Sequence, residues 1–436
     1  MKRITPLVTL LTCFVITGYG QSSTDQLSSG QAAEAGMSPD ILAKVDPFIN
    51  SYVSKNQMPG GVFLVARKGK IVYYKNFGYR TTKQKKPYAL DDIFRIASMT
   101  KAITTVSILQ LFEQGKLGLD DPISRHLSAF KETGVLDTFN EVDSSYTTVP
   151  ANNPITIRHL LTHTSGIVYG GFYRGKVQAV YAKHNMVNVG LSHDSWTTEA
   201  FIDHLAKVPL AFQPGEKYAY GLNMDVLGRI IEVVSGQSLS DYFTEHIFTP
   251  LEMVDSYFYL PRKKYKRLCP VYTYNQEEKM VMADEVPNGS ALEYPKATKR
   301  AHFAGGGGLS STAMDYARFI FALVNNGKYK DKRILGRKTI EMMTSDQLIA
   351  LNKDGKGYSK NPGETYGLGF ALLTEQGNGI TPKSPGTYEW GGYFNTKFFI
   401  DPKEELIFVG MTQIVPFPHQ EFWERLYAII YASIDD

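Results

Sequence analysis

Ser98 and Lys101 stand three residues apart in "FRIASMTKAITTVSILQLFEQG", Phe94 to Gly115, where a polar lead passes into an apolar run. A serine hydroxyl attacks a carbonyl only when a partner takes its proton, donors hold the developing oxyanion, and the site excludes water. At or beside a helix N-terminus, unpaired N–H groups and the helix dipole favour negative charge, so Ser98 is well placed. Lys101 returns to the same face one turn on. Desolvating its ammonium on so apolar a helix is costly, which favours a neutral amine able to accept a proton. Spacing alone does not decide the matter. Ser128 and Lys131 in "SAFK" share it without an apolar helix to receive them. A capping serine with a snorkelling lysine is the simpler reading of either pair in isolation.

The elements around the pair are legible from periodicity. From Ile103 to Phe112 the run is apolar on nearly every side, predicting a buried helix that ends at Gly115. Upstream, "PDILAKVDPFINSYVSKN" places Ile41, Val45, Phe48, Ile49 and Val53 on one helical face. "GGVFLVARKG" and "KIVYYKNFGYR" follow as two strands joined at Lys68, Gly69 and Lys70. Residues 131–153 have the polar character of an exposed loop, and helical patterns recur in "TIRHLLTH", "TTEAFIDHLAKV" and "VLGRIIEVVSG". Strands return in "YGLGFALLT", "NTKFFID" and "LIFVGMT" before a last helix around "EFWERLYAIIYASI". Strands at both ends with helices between predict an α+β fold: one antiparallel sheet built from both chain ends, flanked by helices, with an inserted mainly helical lobe. Residues 21–436 are expected to form a single catalytic domain, with an α/β lobe at about 21–100 and 300–436 and a helical lobe at about 101–299.

Composition narrows the class. Over 436 residues, 43% hydrophobic and 21% charged content is that of a folded globular protein. Lys2 and Arg3 precede the apolar "ITPLVTLLTCFVIT", and small residues at Gly18 to Gly20 lead to Gln21, a secretory signal pattern over residues 1–20. It is too short for a membrane span. The approach to Cys13 is poor for lipid attachment, so the expectation is plain export to the periplasm or medium, with no transmembrane segment in the mature chain. That chain keeps one cysteine, Cys269, so neither an internal disulfide nor a cysteine metal site is expected. Losing Lys2 and Arg3 lowers the net charge from +4 to +2, a balance that argues against nucleic acid. The basic aromatic run Tyr257 to Asn275 reads as a solvated connector. His159 and His163 have metal-pair spacing but no third ligand, and Gly305 to Gly308 lacks the Gly-Lys-Ser/Thr of a phosphate loop. No G-x-S-x-G elbow and no H-E-x-x-H is present.

The longer pattern is more specific. The opening stretch resembles the active-site helix of the serine β-lactamase and penicillin-binding protein superfamily, with S-x-x-K at its start. "ITIRHLLTHTSGI", "PGEKYAYGLNMDVLGRIIEVVSG", "GGGGLSSTAMDYARF" and "YGLGF" resemble recurring segments of its class C-like branch in the same order. The resemblance implies the β-lactamase/transpeptidase-like fold and an acyl-enzyme on Ser98, with no metal or organic cofactor. It puts the motif tyrosine at Tyr220. Leu222 stands where the family's asparagine would be, and Asn223 comes one place late. Trp390, Gly391 and Gly392 occupy the place of Lys-Thr-Gly or His-x-Gly, removing a cation that would bind a substrate carboxylate. Both departures resemble the family VIII carboxylesterases. The implied roles are Ser98 as nucleophile, Lys101 and Tyr220 in proton transfer, and the N–H groups of Ser98 and Tyr393 as oxyanion hole. Trp390, Gly391, Gly392 and Asn223 would bind substrate, a small-molecule ester or amide. The alternatives are a β-lactamase or D-amino-acid peptidase, an acyltransferase, or a silent protein that binds cell-wall fragments.

Overall fold

Apolar runs from the two ends of the chain meet in one sheet. In the computed structural model, which describes residues 25–191, 196–283, 289–359 and 363–436, every residue of β2 (Gly60–Arg67) is buried, so helices must cover both faces. With β1 (Ser28–Ser29), β3 (Lys70–Thr81), β4 (Glu364–Tyr366), β5 (Ala371–Leu373), β6 (Tyr388–Gly392), β7 (Thr396–Asp401) and β8 (Leu406–Met411), the sheet order is β1-β3-β2-β8-β7-β6-β5-β4. All pairings along it are antiparallel except β1 with β3. The chain ends join where β8 pairs β2, Phe408 opposite Val65 and Val409 opposite Leu64. At the β2–β3 turn Lys68 and Gly69 both take positive φ, 51° and 73°, matching the twist that a tight hairpin needs.

Alternation along the strands divides the core. Phe63, Val65, Phe399 and Phe408 face α1 (Val45–Ser54) and α5 (Glu421–Ala432), against Phe422, Trp423 and Tyr427. Val62, Leu64, Phe398 and Val409 face the other way, in a core shared with α2 (Thr100–Glu113), α3 (Asn223–Ser235) and α4 (Ala313–Val324). Helix α2 is buried from Thr100 to Leu111 and packs on α3, so it runs through the interior as its composition requires. Gly115, at φ 67°, ends it in the left-handed conformation.

Three local expectations are corrected. Residues 131–153 contain a two-stranded ribbon, Gly134–Phe139 with Tyr146–Pro150, because the branched residues of "YTTVP" suit a strand and Leu136 N–H bonds Leu210 O at 2.9 Å. "YGLGFALLT" is two strands rather than one, since Gly369 takes φ 80° and Gly367 N–H bonds Phe370 O. The first helical segment breaks at Ala43 and Lys44 into Pro39–Leu42 and α1. The connector keeps its expected character: Arg262–Arg267 has no buried residue, while Cys269 and Tyr272 are buried and Cys269 is a free thiol. The expected signal segment, residues 1–20, lies outside the described residues. Among the described residues no helix is long and apolar enough to cross a membrane.

Candidate active site

Ser98 sits on a single 3-10 turn, Ala97–Met99, that runs straight into α2. The approach is pinned from several sides. Phe94–Arg95 pairs with Ser310–Ser311, Gln413 brackets the Arg95 backbone at 3.1 and 3.0 Å, and the buried Arg95 guanidinium donates to Cys269 O and Leu292 O, each at 2.7 Å. From α4, the Tyr316 hydroxyl donates to Met99 O at 2.9 Å. Within this frame Ala97 is held at φ 41°, a left-handed conformation that a non-glycine residue adopts at a cost of order 1–3 kcal/mol. The strain sits beside Ser98, where the surroundings over-determine the backbone.

Lys101, on the first turn of α2, has no exposed surface. Its Nζ donates to Gly306 O at 2.6 Å, Tyr169 Oη at 3.1 Å and Ser98 Oγ at 3.3 Å. All three hydrogens of an ammonium therefore have an acceptor, the condition for burying such a group. The surroundings of Nζ are not purely apolar, because backbone and hydroxyl oxygens converge on it. Tyr220 donates from Oη to Ser98 Oγ at 2.8 Å, and its ring centroid lies 4.7 Å from Lys101 Nζ.

A buried carboxylate, Asp225 on α3, completes the cluster. Its Oδ1 accepts Gly306 N–H at 3.1 Å, and among the described residues no donor reaches Oδ2. Burial pushes the carboxyl up to about 6, with the Lys101 charge and the Gly306 N–H opposing the rise. Burial, then the charge of Asp225, also raises the Tyr169 phenol well above its ordinary value. Gly306 is the hub: its N–H serves Asp225 and its carbonyl serves Lys101. A Cβ there would lie 2.5 Å from Asp225 Oδ2 and 2.9 Å from Tyr169 Oη, so the position has room for hydrogen only.

Beneath Tyr220, at 4.8 Å between ring centroids, His163 is fully buried. Burial and then the Lys101 charge hold its imidazole well below the ordinary histidine range. As a neutral ring it accepts at Nδ1 from Asn223 Nδ2 at 2.8 Å and Gly221 N–H at 3.3 Å. Asn223 also donates to Ile167 O and accepts from Ser165 Oγ at 2.5 Å. Asn223, expected to bind substrate, is therefore corrected to an interior residue that ties the Tyr220 turn to His163. The one-residue delay relative to the family asparagine turns it inward, and Leu222 beside it is wholly buried.

The strand beside the serine is β6. Trp390 packs on Tyr220 at 5.5 Å and on Tyr366 at 5.4 Å, and so braces the tyrosine from the side. Gly392 faces the serine turn, and a Cβ there would collide with Ile96 O and Thr396 Oγ1. Gly391 points to the other face, where a Cβ would meet Lys397 Cδ at 2.8 Å. The expectation that these glycines open the backbone to substrate is corrected: their empty sides are filled by the protein, and Gly392 lets β6 close on Ile96. Gly392→Ala is expected to push β6 away, destabilising the fold by about 1–3 kcal/mol and lowering catalytic efficiency by roughly tenfold. Thermal melts and initial rates on one preparation test this, and wild-type values in both would refute the close-packing account.

A cavity of about 420 Å³ opens on Ser98, lined by Ala97, Tyr169, Gly171, Phe172, residues 187–191, Gly306, Gly307 and Tyr393. None of these lining residues is charged. Tyr393 is held by the turn after β6, where Asn395 N–H bonds Gly392 O and Trp423 Nε1 donates to Asn395 Oδ1 at 2.8 Å. Ser98 and Tyr393 line this space, Lys101 and Tyr220 reach it through their hydrogen bonds to Ser98 Oγ, and Trp390, Gly391, Gly392 and Asn223 stand outside its lining. Tyr169, Asp225 and Phe172 are residues that sequence reasoning misses, and Gly306 belongs to the Gly305 to Gly308 run that it weighs as a phosphate loop and sets aside. For Asp225 a signal existed, a carboxylate among the apolar residues of "NMDVLG"; for Tyr169 there was none.

A fold and a site of this kind define the serine hydrolase and acyltransferase class. The β-lactamase family model matches residues 45–431, and the chain belongs to that family. It is 31% identical over 366 residues to the lovastatin esterase of Penicillium rubens, covering 80% of this chain and 86% of that protein. With esterase EstB of Burkholderia gladioli it shares 28% identity over 373 residues, 83% and 87% of the two chains. Among solved structures, EstCE1, described as a hydrolase with promiscuous acyltransferase activity, superposes with a TM-score of 0.75 at 27% identity, covering 90% of this chain and 99% of that one.

Proposed function

We propose that this is an exported enzyme that cleaves carboxylic esters through an acyl-enzyme on Ser98 and passes the acyl group to water or to an alcohol. The observation that carries the reading is Ser98 Oγ, 2.8 Å from Tyr220 Oη and 3.3 Å from Lys101 Nζ, at the wall of a cavity whose lining is uncharged among the described residues. Ser98 attacks the ester carbonyl from the form of the site in which the Tyr220–Lys101 pair lacks one proton, and the serine proton fills that vacancy. The N–H groups of Ser98 and Tyr393 hold the oxyanion, and the proton then leaves on the alkoxide. In the second half, water or an alcohol repeats these steps in reverse. Transfer to an alcohol is favoured as an equal partner of hydrolysis by the likeness to EstCE1 and by the apolar walls of the cavity.

A β-lactamase or cell-wall peptidase is supported less well. Trp390 fills the place of the cation that would meet a substrate carboxylate, and Lys397, on β7 opposite Gly391, projects from the other face of the sheet. The test treats the chain from Gln21 with a fluorophosphonate and locates the adduct by mass spectrometry, then compares p-nitrophenyl esters with a chromogenic cephalosporin. The expected outcome is one adduct, on Ser98, with ester turnover exceeding that of the cephalosporin. An adduct elsewhere, or a faster cephalosporin, rejects the proposal.

A further inference from the structure

Two large apolar side chains at the mouth of the cavity are left in water, Phe172 at 61% and Tyr393 at 53% exposure. What sets these two apart from other exposed apolar side chains is that both line the cavity that opens on Ser98, and apolar surface at such a groove marks a binding site. Phe172 is held by stacking on Tyr220 at 6.1 Å and packing on Tyr169 at 5.2 Å, and Tyr393 is fixed by its pinned turn. The deeper wall is different in kind: Tyr169, Gly190, Gly306 and Gly307 are buried.

The chemistry assigns the two zones. The acyl group stays on Ser98 through both half-reactions, so it belongs in the closed part. The alcohol leaves after the first half-reaction and its replacement arrives from solvent, so it must cross the open rim. Resting on the reading that Ser98 carries the acyl group, we infer that the Phe172 and Tyr393 rings form an acceptor subsite for aromatic or otherwise apolar alcohols. The subsite thereby sets the ratio of acyl transfer to hydrolysis. In that step the alcohol oxygen bonds to the acyl carbon, the bond from that carbon to Ser98 Oγ breaks, and the alcohol proton passes through the Tyr220–Lys101 pair to Ser98 Oγ. No other reactant is needed. Water gains nothing from an aromatic rim, whereas an aromatic alcohol is held over the acyl-enzyme by contact with both rings.

The test uses p-nitrophenyl butyrate as donor, with benzyl alcohol or methanol as acceptor at equal concentration, and quantifies benzyl butyrate, methyl butyrate and butyrate. All acceptors compete for one acyl-enzyme, so effects on the donor step cancel from the ratios. Phe172→Ala and Tyr393→Ala are each expected to lower benzyl transfer relative to hydrolysis by about threefold to tenfold. The methyl-transfer ratio should stay within about twofold of wild type, since methanol is too small to span the rings. Nitrophenol release with an unmoved benzyl ratio in both variants overturns this inference alone. A parallel fall in the methanol ratio overturns it too, because the rings would then shape the site rather than select the acceptor. No nitrophenol release from the wild-type chain overturns the reading of Ser98 and this inference with it.

Discussion

Lys101→Met is expected to lower kcat/KM on p-nitrophenyl butyrate by roughly a thousandfold to ten-thousandfold, with KM within about twofold of wild type. Methionine nearly matches the volume of the lysine stem, so α2 keeps its packing and the cavity its shape. What disappears is the group that exchanges hydrogen bonds with Ser98, Tyr169 and Gly306. A loss confined to kcat marks an interaction made in the transition state rather than in substrate binding. Lys101→Arg should fare no better, because a planar guanidinium cannot reproduce three bonds that converge on one nitrogen. Retention of more than a tenth of wild-type activity by Lys101→Met would remove lysine from the proton path.

The second large effect concerns Asp225. Its carboxyl is raised to about 6 in the fold, against an ordinary value near 4 when unfolded. For an acid shifted upward, the folded state binds the proton more tightly. Stability is therefore greatest below the unfolded value and falls as pH rises to about 6, by an amount on the order of 2–3 kcal/mol if the whole shift is expressed. Activity runs the other way. Above about 6 the carboxylate faces Lys101 and orders the Gly306 hub; protonation below that pH removes the charge. Wild-type kcat/KM should therefore show an acid limb near 6. Asp225→Asn should lose that limb, lower activity about a hundredfold at pH 8, and flatten the stability difference between pH 4 and 7 relative to wild type. Asp315, also raised to about 6 by burial, remains in both proteins, so the comparison isolates Asp225. An acid limb that persists in Asp225→Asn would assign it to another group.

The sheet was readable from sequence because its strands carry their signal locally. β2 and β8 are runs of branched and aromatic residues bounded by turns, and the Lys68–Gly69 turn has the chemistry of a tight hairpin. The interior course of α2 was equally legible, since a helix apolar on every side has nowhere else to go. The breaks inside "YGLGFALLT" and before α1 were not, because periodicity reports faces more strongly than ends.

For the site, sequence supplied the ordered motifs that nominated Ser98, Lys101, Tyr220 and Tyr393, and the local reason why a serine at a helix start can carry negative charge. Contacts between residues far apart in the chain decided everything else. Lys101 meets Gly306 across 205 positions and Tyr169 across 68, and no local pattern encodes such a meeting. Asn223 and the two glycines of β6 were nominated by alignment to a motif, yet their direction depends on which face of a turn or strand the tertiary packing turns inward. A one-residue offset sends a side chain to the opposite side, so type and spacing name the candidates and only the folded chain chooses among them.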